Sequence, residues 1–161
     1  MKALLATVAF VVAVPCAAEI QVSFDKSRRY ADAGMSGDEA ISNVREIATY
    51  IAGIAKRDLP ADANLRLEVL DVDLAGDRRF VGRGVWVRRM DGTSDWPNIK
   101  VKFSLHVPGR PPMEAVDKIS GESYLMHGES LSNDPMRYEK LMIDAWFKYR
   151  VVEGRPVPAG Q

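Results

Sequence analysis

Cysteine and histidine are scarce: the chain holds one cysteine, Cys16, and two histidines, His106 and His127. That excludes a disulfide framework and the Cys/His spacings of a structural zinc site. Charge of one sign is also lacking, with 22 Lys and Arg against 22 Asp and Glu. A nucleic-acid binder needs a basic stripe to neutralise phosphates, and no such stripe runs through this sequence. Beyond residue 18, no apolar run reaches the roughly 20 residues that a membrane-spanning helix requires. G-x-S-x-G is missing, because the GES triplets at 121–123 and 128–130 lack its spacing. There is no P-loop and no dinucleotide fingerprint, so no cofactor is expected.

The first residues, MKALLATVAFVVAVPCAAE, carry Lys2, an unbroken apolar run from Ala3 to Val14, and then small residues. This order reads as a secretory signal peptide over residues 1–18, cut after Ala18, with Cys16 at −3. A lipid-anchoring cysteine normally follows a small residue, whereas Pro15 precedes Cys16 here. Removing 18 of the 161 residues leaves 143, enough for a sizeable core without disulfides. The leader takes one lysine with it and leaves 21 basic against 22 acidic residues. The expected location is periplasmic, with no transmembrane segment in the mature chain.

EIQVSF (19–24) alternates as a strand does. KSRRYADAG (26–34) follows as a loop. Ser36 stands three before Glu39, a capping box, and Ile41, Val44, Ile47, Ala48, Ile51 and Ala55 form one apolar stripe behind it. The spacing predicts a helix over 37–58, stopped by Pro60. NLRLEVLDVDLAG (64–76) reads as a strand whose parity changes between Val69 and Leu70, from a bulge or from cover on both faces. Residues 77–97 read as an irregular excursion that holds one short strand, GVWVRRM, and a turn at Asp91–Gly92. NIKVKFSLHV (98–107) is a strand with one buried and one wet face. MEAVDKISGESYLM (113–126) is its antiparallel partner. Asp134 and Pro135 suit the start of a second helix, whose stripe is Tyr138, Leu141, Met142, Ala145, Trp146 and Tyr149, with Phe147 pointing elsewhere. Arg137, Glu139 and Lys140 are read as solvated or bonded to a nearby loop. The tail 151–161 lacks periodicity and reads as flexible. The expected fold class is α+β: one domain over 19–150, a two-layer sandwich of a mainly antiparallel sheet with two helices on one face.

Three residue groups could carry function. Asp71, Asp73 and Asp77 could offer oxygens to a hard cation such as calcium, or two of them could work as a carboxylate pair. Against this, Val72 and Leu74 interleave, and Ala75 takes the third alternating position where a calcium loop needs a ligand. The simpler alternative is a strand end whose carboxylates meet backbone or arginine. His106 and His127 stand 21 positions apart without short-range partners and read as surface histidines. The stretch RRFVGRGVWVRR mixes Arg88, Arg89 and three other arginines with Phe80 and Trp86. It suits either an anionic surface or a strand edge protected by charge.

LEVLDVDLAGD, WPNIKVKFSL and NDPMRYEKLMIDAWF, in that order after a leader, resemble a family of small secreted proteobacterial proteins. It is catalogued only as Domain of Unknown Function 3016. The likeness covers Ile20 to Lys148 and departs between Arg78 and Ser94. It implies an exported single domain, and it offers no catalytic residue to carry over. The expectation is an exported protein that binds another envelope protein or an anionic envelope component, not nucleic acid, and more a binding domain than an enzyme. A metal-dependent hydrolase built on the aspartates is the alternative.

Overall fold

The computed structural model describes residues 19–90, 95–122 and 133–158. The leader, the Asp91–Gly92 turn and His127 lie outside the described residues. The elements are β1 (Glu19–Phe24), α1 (Gly37–Asp58), β2 (Asn64–Asp73), β3 (Asp77–Phe80), β4 (Trp86–Arg89), β5 (Asn98–His106), β6 (Met113–Ser120) and α2 (Arg137–Trp146). α2 runs on as a π-helical turn over Phe147–Val152.

Four strands form the main sheet in the order β1-β2-β5-β6. β1 pairs parallel with β2, which requires a crossover, and α1 supplies it. The other two pairings are antiparallel. Both helices pack into one core on one face of this sheet, giving the α+β two-layer arrangement. The opposite face carries Arg66, Glu68, Lys100, Lys102 and His106, as the wet side of β5 predicts.

The parity change in β2 is a bulge: Val69 faces Val101 and Asp71 faces Lys100, so Leu70 is the extra residue. It lets Leu65, Leu67 and Val69 point inward, and then Val72 and Leu74 as well, all of them buried. A bulge leaves a backbone group out of the ladder. Here the Leu70 carbonyl accepts a hydrogen bond from the Arg28 guanidinium at 2.8 Å. The loop carrying Arg28 is held further along: Asp32 N–H donates to the Val72 carbonyl and Leu74 N–H to the Asp32 carbonyl. Tyr30 and Ala33 in that loop are buried.

α1 begins and ends where its caps predict. Ser36 Oγ accepts from Glu39 N–H at 3.2 Å, while the Glu39 carboxylate reaches back to Met35 N–H. Val44, Ile47, Ala48, Ile51, Ile54 and Ala55 face the sheet.

α2 departs from expectation twice. It starts at Arg137, not at Pro135. Asp134 Oδ1 accepts from Met136 N–H at 2.8 Å and its carbonyl accepts from Arg137 N–H, which closes a turn ahead of the helix. Its inward face is also rotated from the predicted stripe. Glu139, Ile143, Phe147 and Val151 are buried beside Tyr138, Met142 and Trp146, whereas Leu141, Ala145 and Tyr149 sit half-buried on the flank. Phe147 is 1% exposed, so it is a core residue. Residues four apart drift by about 40° per step on an ideal α-helix. The wider π turn, with Glu153 N–H donating to the Lys148 carbonyl, accompanies burial of both Phe147 and Val151. The helical turn thus extends two residues past position 150, and Val157 packs back against the core.

Candidate functional site

The irregular excursion contains a hairpin, β3–β4, that shares no ladder with the main sheet. Its register pairs Asp77 with Arg89, Arg78 with Arg88, Arg79 with Val87 and Phe80 with Trp86. Gly82, Arg83 and Gly84 turn the chain, all with positive φ. The sequence pointed to β4 and missed β3. Both strands are exposed on one side, so neither shows the apolar alternation that marks a half-buried strand.

Exposed apolar side chains stand on both faces of this hairpin and at its tip. Phe80 is 56% exposed and Trp86 51%, with their ring centroids 5.4 Å apart; Val81, Val85 and Val87 are also open to solvent. Arg78 and Arg88 stand two residues along from Phe80 and Trp86 and so share their face, and Arg78, Trp86 and Arg88 all line the cleft described below. Arg78 and Arg88 face each other across the strands, a like-charge pairing that is unfavourable by itself. The body of the domain answers both charges: Arg78 meets Asp32 Oδ1 at 2.5 Å, and Arg88 lies 4.0 Å from Glu139 Oε1.

Glu139 is fully buried. Its Oε1 accepts a hydrogen bond from Ala75 N–H at 2.9 Å, fixing the bend that leads into the hairpin. Burial pushes its carboxyl above the usual range; the Ala75 hydrogen bond and the nearby Arg88 and Arg137 pull the other way. Sequence reasoning left this glutamate outside the core because it scores as polar. The available signal was its place in the row Glu139, Ile143, Phe147, four residues apart.

The next residue along that bend, Gly76, has φ +87°, and a Cβ there would lie 2.7 Å from the Arg89 carbonyl oxygen. Gly76→Ala is therefore expected to lower the unfolding free energy by about 1–3 kcal/mol, read by urea denaturation. An unchanged midpoint would mean that the hairpin reseats without strain.

Between the hairpin, the start of α1 and the approach to α2 lies a cleft of about 530 Å³. Arg78, Arg88 and Arg137 supply its positive charge and Glu39 a carboxylate, and Met35, Leu74, Trp86, Met90 and Met136 form its apolar walls.

The aspartates that drew attention in the sequence are not part of this cleft. Asp71 and Asp73 lie on the open face of the sheet, opposite Lys100 and Asn98. Asp71 Oδ1 accepts from Ala31 N–H and from Val72 N–H, both at 3.0 Å, and so ties the β1–α1 loop to the bulge. Asp73 has its carboxyl pKa raised, first by burial and then by the neighbouring carboxylates Asp32 and Asp71. Asp77 opens β3, and its side chain lies outside the described set. His106 pairs with Asn64 at the far end of β5, six residues beyond Lys100. That is about 20 Å along a strand, so His106 and the aspartates share no site. Among the described residues no group of three or more His, Cys, Asp or Glu could hold a metal ion. Of the hairpin candidates, Trp86 and Arg88 line the cleft, and Arg89 points to solvent.

A sandwich with a detached cationic hairpin over a cleft defines a small α+β domain whose most distinctive chemistry lies outside its main sheet. The chain belongs to the DUF3016 family, described as a protein of unknown function, whose model matches residues 18–149. Neither a curated protein nor a solved structure matches the chain. No helix among the described residues is long and apolar enough to cross a membrane.

Proposed function

We propose that this protein is an exported, periplasmic binding domain of the cell envelope, and that the β3–β4 hairpin is its contact element. The leader over residues 1–18 supports export. The observation that carries the contact element is the exposed Phe80–Trp86 pair on a strand pair set apart from the core. Aromatic and arginine side chains are the types that dominate protein contacts, and a solvent-facing cluster of them marks an interaction surface. Five arginines against one aspartate between residues 77 and 90 give the hairpin a positive field in a chain of zero net charge. It favours an acidic envelope protein or an anionic envelope component.

A photocrosslinking residue placed at Val85, near the hairpin tip, tests this in living cells. The expected result is a discrete adduct, reduced several-fold by Trp86→Ala or Arg89→Glu and missing when the probe is moved to Gln21 on the open face. The mass of the adduct distinguishes protein from lipid. Equal labelling from Val85 and Gln21 would remove the hairpin as the contact element.

A further inference from the structure

The cleft beneath the hairpin has guanidinium groups that the protein pairs only in part. Arg88 is largely covered, with 23% of its side chain exposed, yet it makes no hydrogen bond among the described residues. Its nearest carboxylate oxygen, Glu139 Oε1 at 4.0 Å, is beyond hydrogen-bond reach. Arg137 Nε is buried without a partner among the described residues, although the same guanidinium donates to the Asp134 carbonyl and to Tyr138 Oη. Buried donors are normally satisfied, and a guanidinium is best satisfied by two oxygens of one oxyanion. The carboxylate among the cleft's lining residues, Glu39, is turned to cap Met35 N–H.

The rest of the lining is apolar and soft. Met35, Met90 and Met136 come from three separate segments, with Leu74 and Trp86 between them. Methionine adapts to irregular chains, and a cleft of this volume falls within the range of small-molecule sites. From this geometry we infer that the cleft binds a single-chain anionic amphiphile, with its oxyanion on Arg88 and Arg137 and its alkyl chain along the methionines. A free fatty acid, an alkyl phosphate and a lysophospholipid share this chemistry. The inference deepens the binding-domain proposal and rests on it, but it uses the cleft beneath the hairpin, which shares Trp86 with the contact element, and not the tip.

The test is calorimetric titration of the exported protein with dodecyl phosphate, below its micelle concentration. Dodecyltrimethylammonium (same chain, opposite head) and inorganic phosphate (head alone) are the comparison probes. The expected result is saturable one-to-one binding of dodecyl phosphate, at least tenfold tighter than either comparison. Arg88→Gln should weaken it at least tenfold, while Lys56→Gln, exposed in the last turn of α1 and away from the cleft, leaves it unchanged. Met35→Trp, at a half-exposed position on the cleft wall, should also weaken binding by filling the space. It keeps the proposal testable if Arg88→Gln fails to fold. No saturable binding, equal binding of the cationic probe, or full binding by both Arg88→Gln and Met35→Trp overturns the inference. Dodecanoate and lysophosphatidylglycerol then separate the sources, the tighter binder naming the headgroup. A Val85 adduct without amphiphile binding removes the cleft inference and keeps the contact element; amphiphile binding without the adduct does the reverse.

Discussion

Phe147→Ala is expected to lower the unfolding free energy by about 3–5 kcal/mol, the usual loss for a large aromatic removed from a core. The ring is almost fully buried and packs edge-on to Trp146, with centroids 6.0 Å apart. Trp146 in turn packs edge-on to Phe103 of β5 at 5.6 Å. Truncation therefore opens a hole where the π turn meets the sheet, and the sheet cannot close over it without moving Trp146. Tyr149→Ala is the comparison, because that half-buried ring lies under Arg155 and Lys148 at the surface. Urea unfolding should show the Phe147 loss exceeding the Tyr149 loss by at least about 2 kcal/mol. Equal losses would contradict the inward placement of Phe147.

The second large effect is expected at Glu139, as a dependence of stability on pH. Its folded pKa lies above the ordinary value of 4.5, mainly through burial. A raised folded pKa means that the native state holds the proton more tightly than the unfolded chain does. The resulting stability is complete below 4.5 and is lost as pH rises through the folded pKa. The unfolding free energy should thus rise as pH falls through that folded pKa towards 4.5, with a slope of up to about 1.4 kcal/mol per pH unit from this one group. Asp73, also raised, adds in the same direction. Asp134, lowered first by its Lys140 hydrogen bond, acts oppositely and only in more acidic solution. Glu139→Gln keeps an oxygen for Ala75 N–H and has no proton to lose. Subtracting its pH profile from that of the wild type isolates Glu139, and parallel profiles would refute the assignment.

Much of the fold was legible because its signals are local. Ser36 and Glu39 are three residues apart, and the bulge announces itself as a parity break between Val69 and Leu70. What stayed hidden depends on contacts distant in sequence. Asp71 looks like a cation ligand beside Asp73, but its oxygen is spent on Ala31 N–H, 40 residues away. The face of α2 was misjudged because apolar periodicity counts a carboxylate as outward. The buried Glu139 therefore moved the apparent stripe onto Leu141, Ala145 and Tyr149. The candidate site was half legible. Arg88 and Arg89 were singled out as equals, yet neighbours on a strand point to opposite sides. One enters the cleft and the other meets solvent. The remaining cleft residues come from three distant segments and have no common spacing to read.

The detachment of β3–β4 from the four-stranded ladder has a consequence for how such a domain can diversify. Substitutions at Phe80, Val81, Arg83 and Val85 change surface chemistry without removing a hydrogen bond from the main sheet or a side chain from its core. Mutational tolerance is therefore concentrated at the hairpin tip, while Gly76 and Glu139 at its base stay constrained. New partner preferences can arise there in single steps, each tested by selection against an almost constant folding free energy.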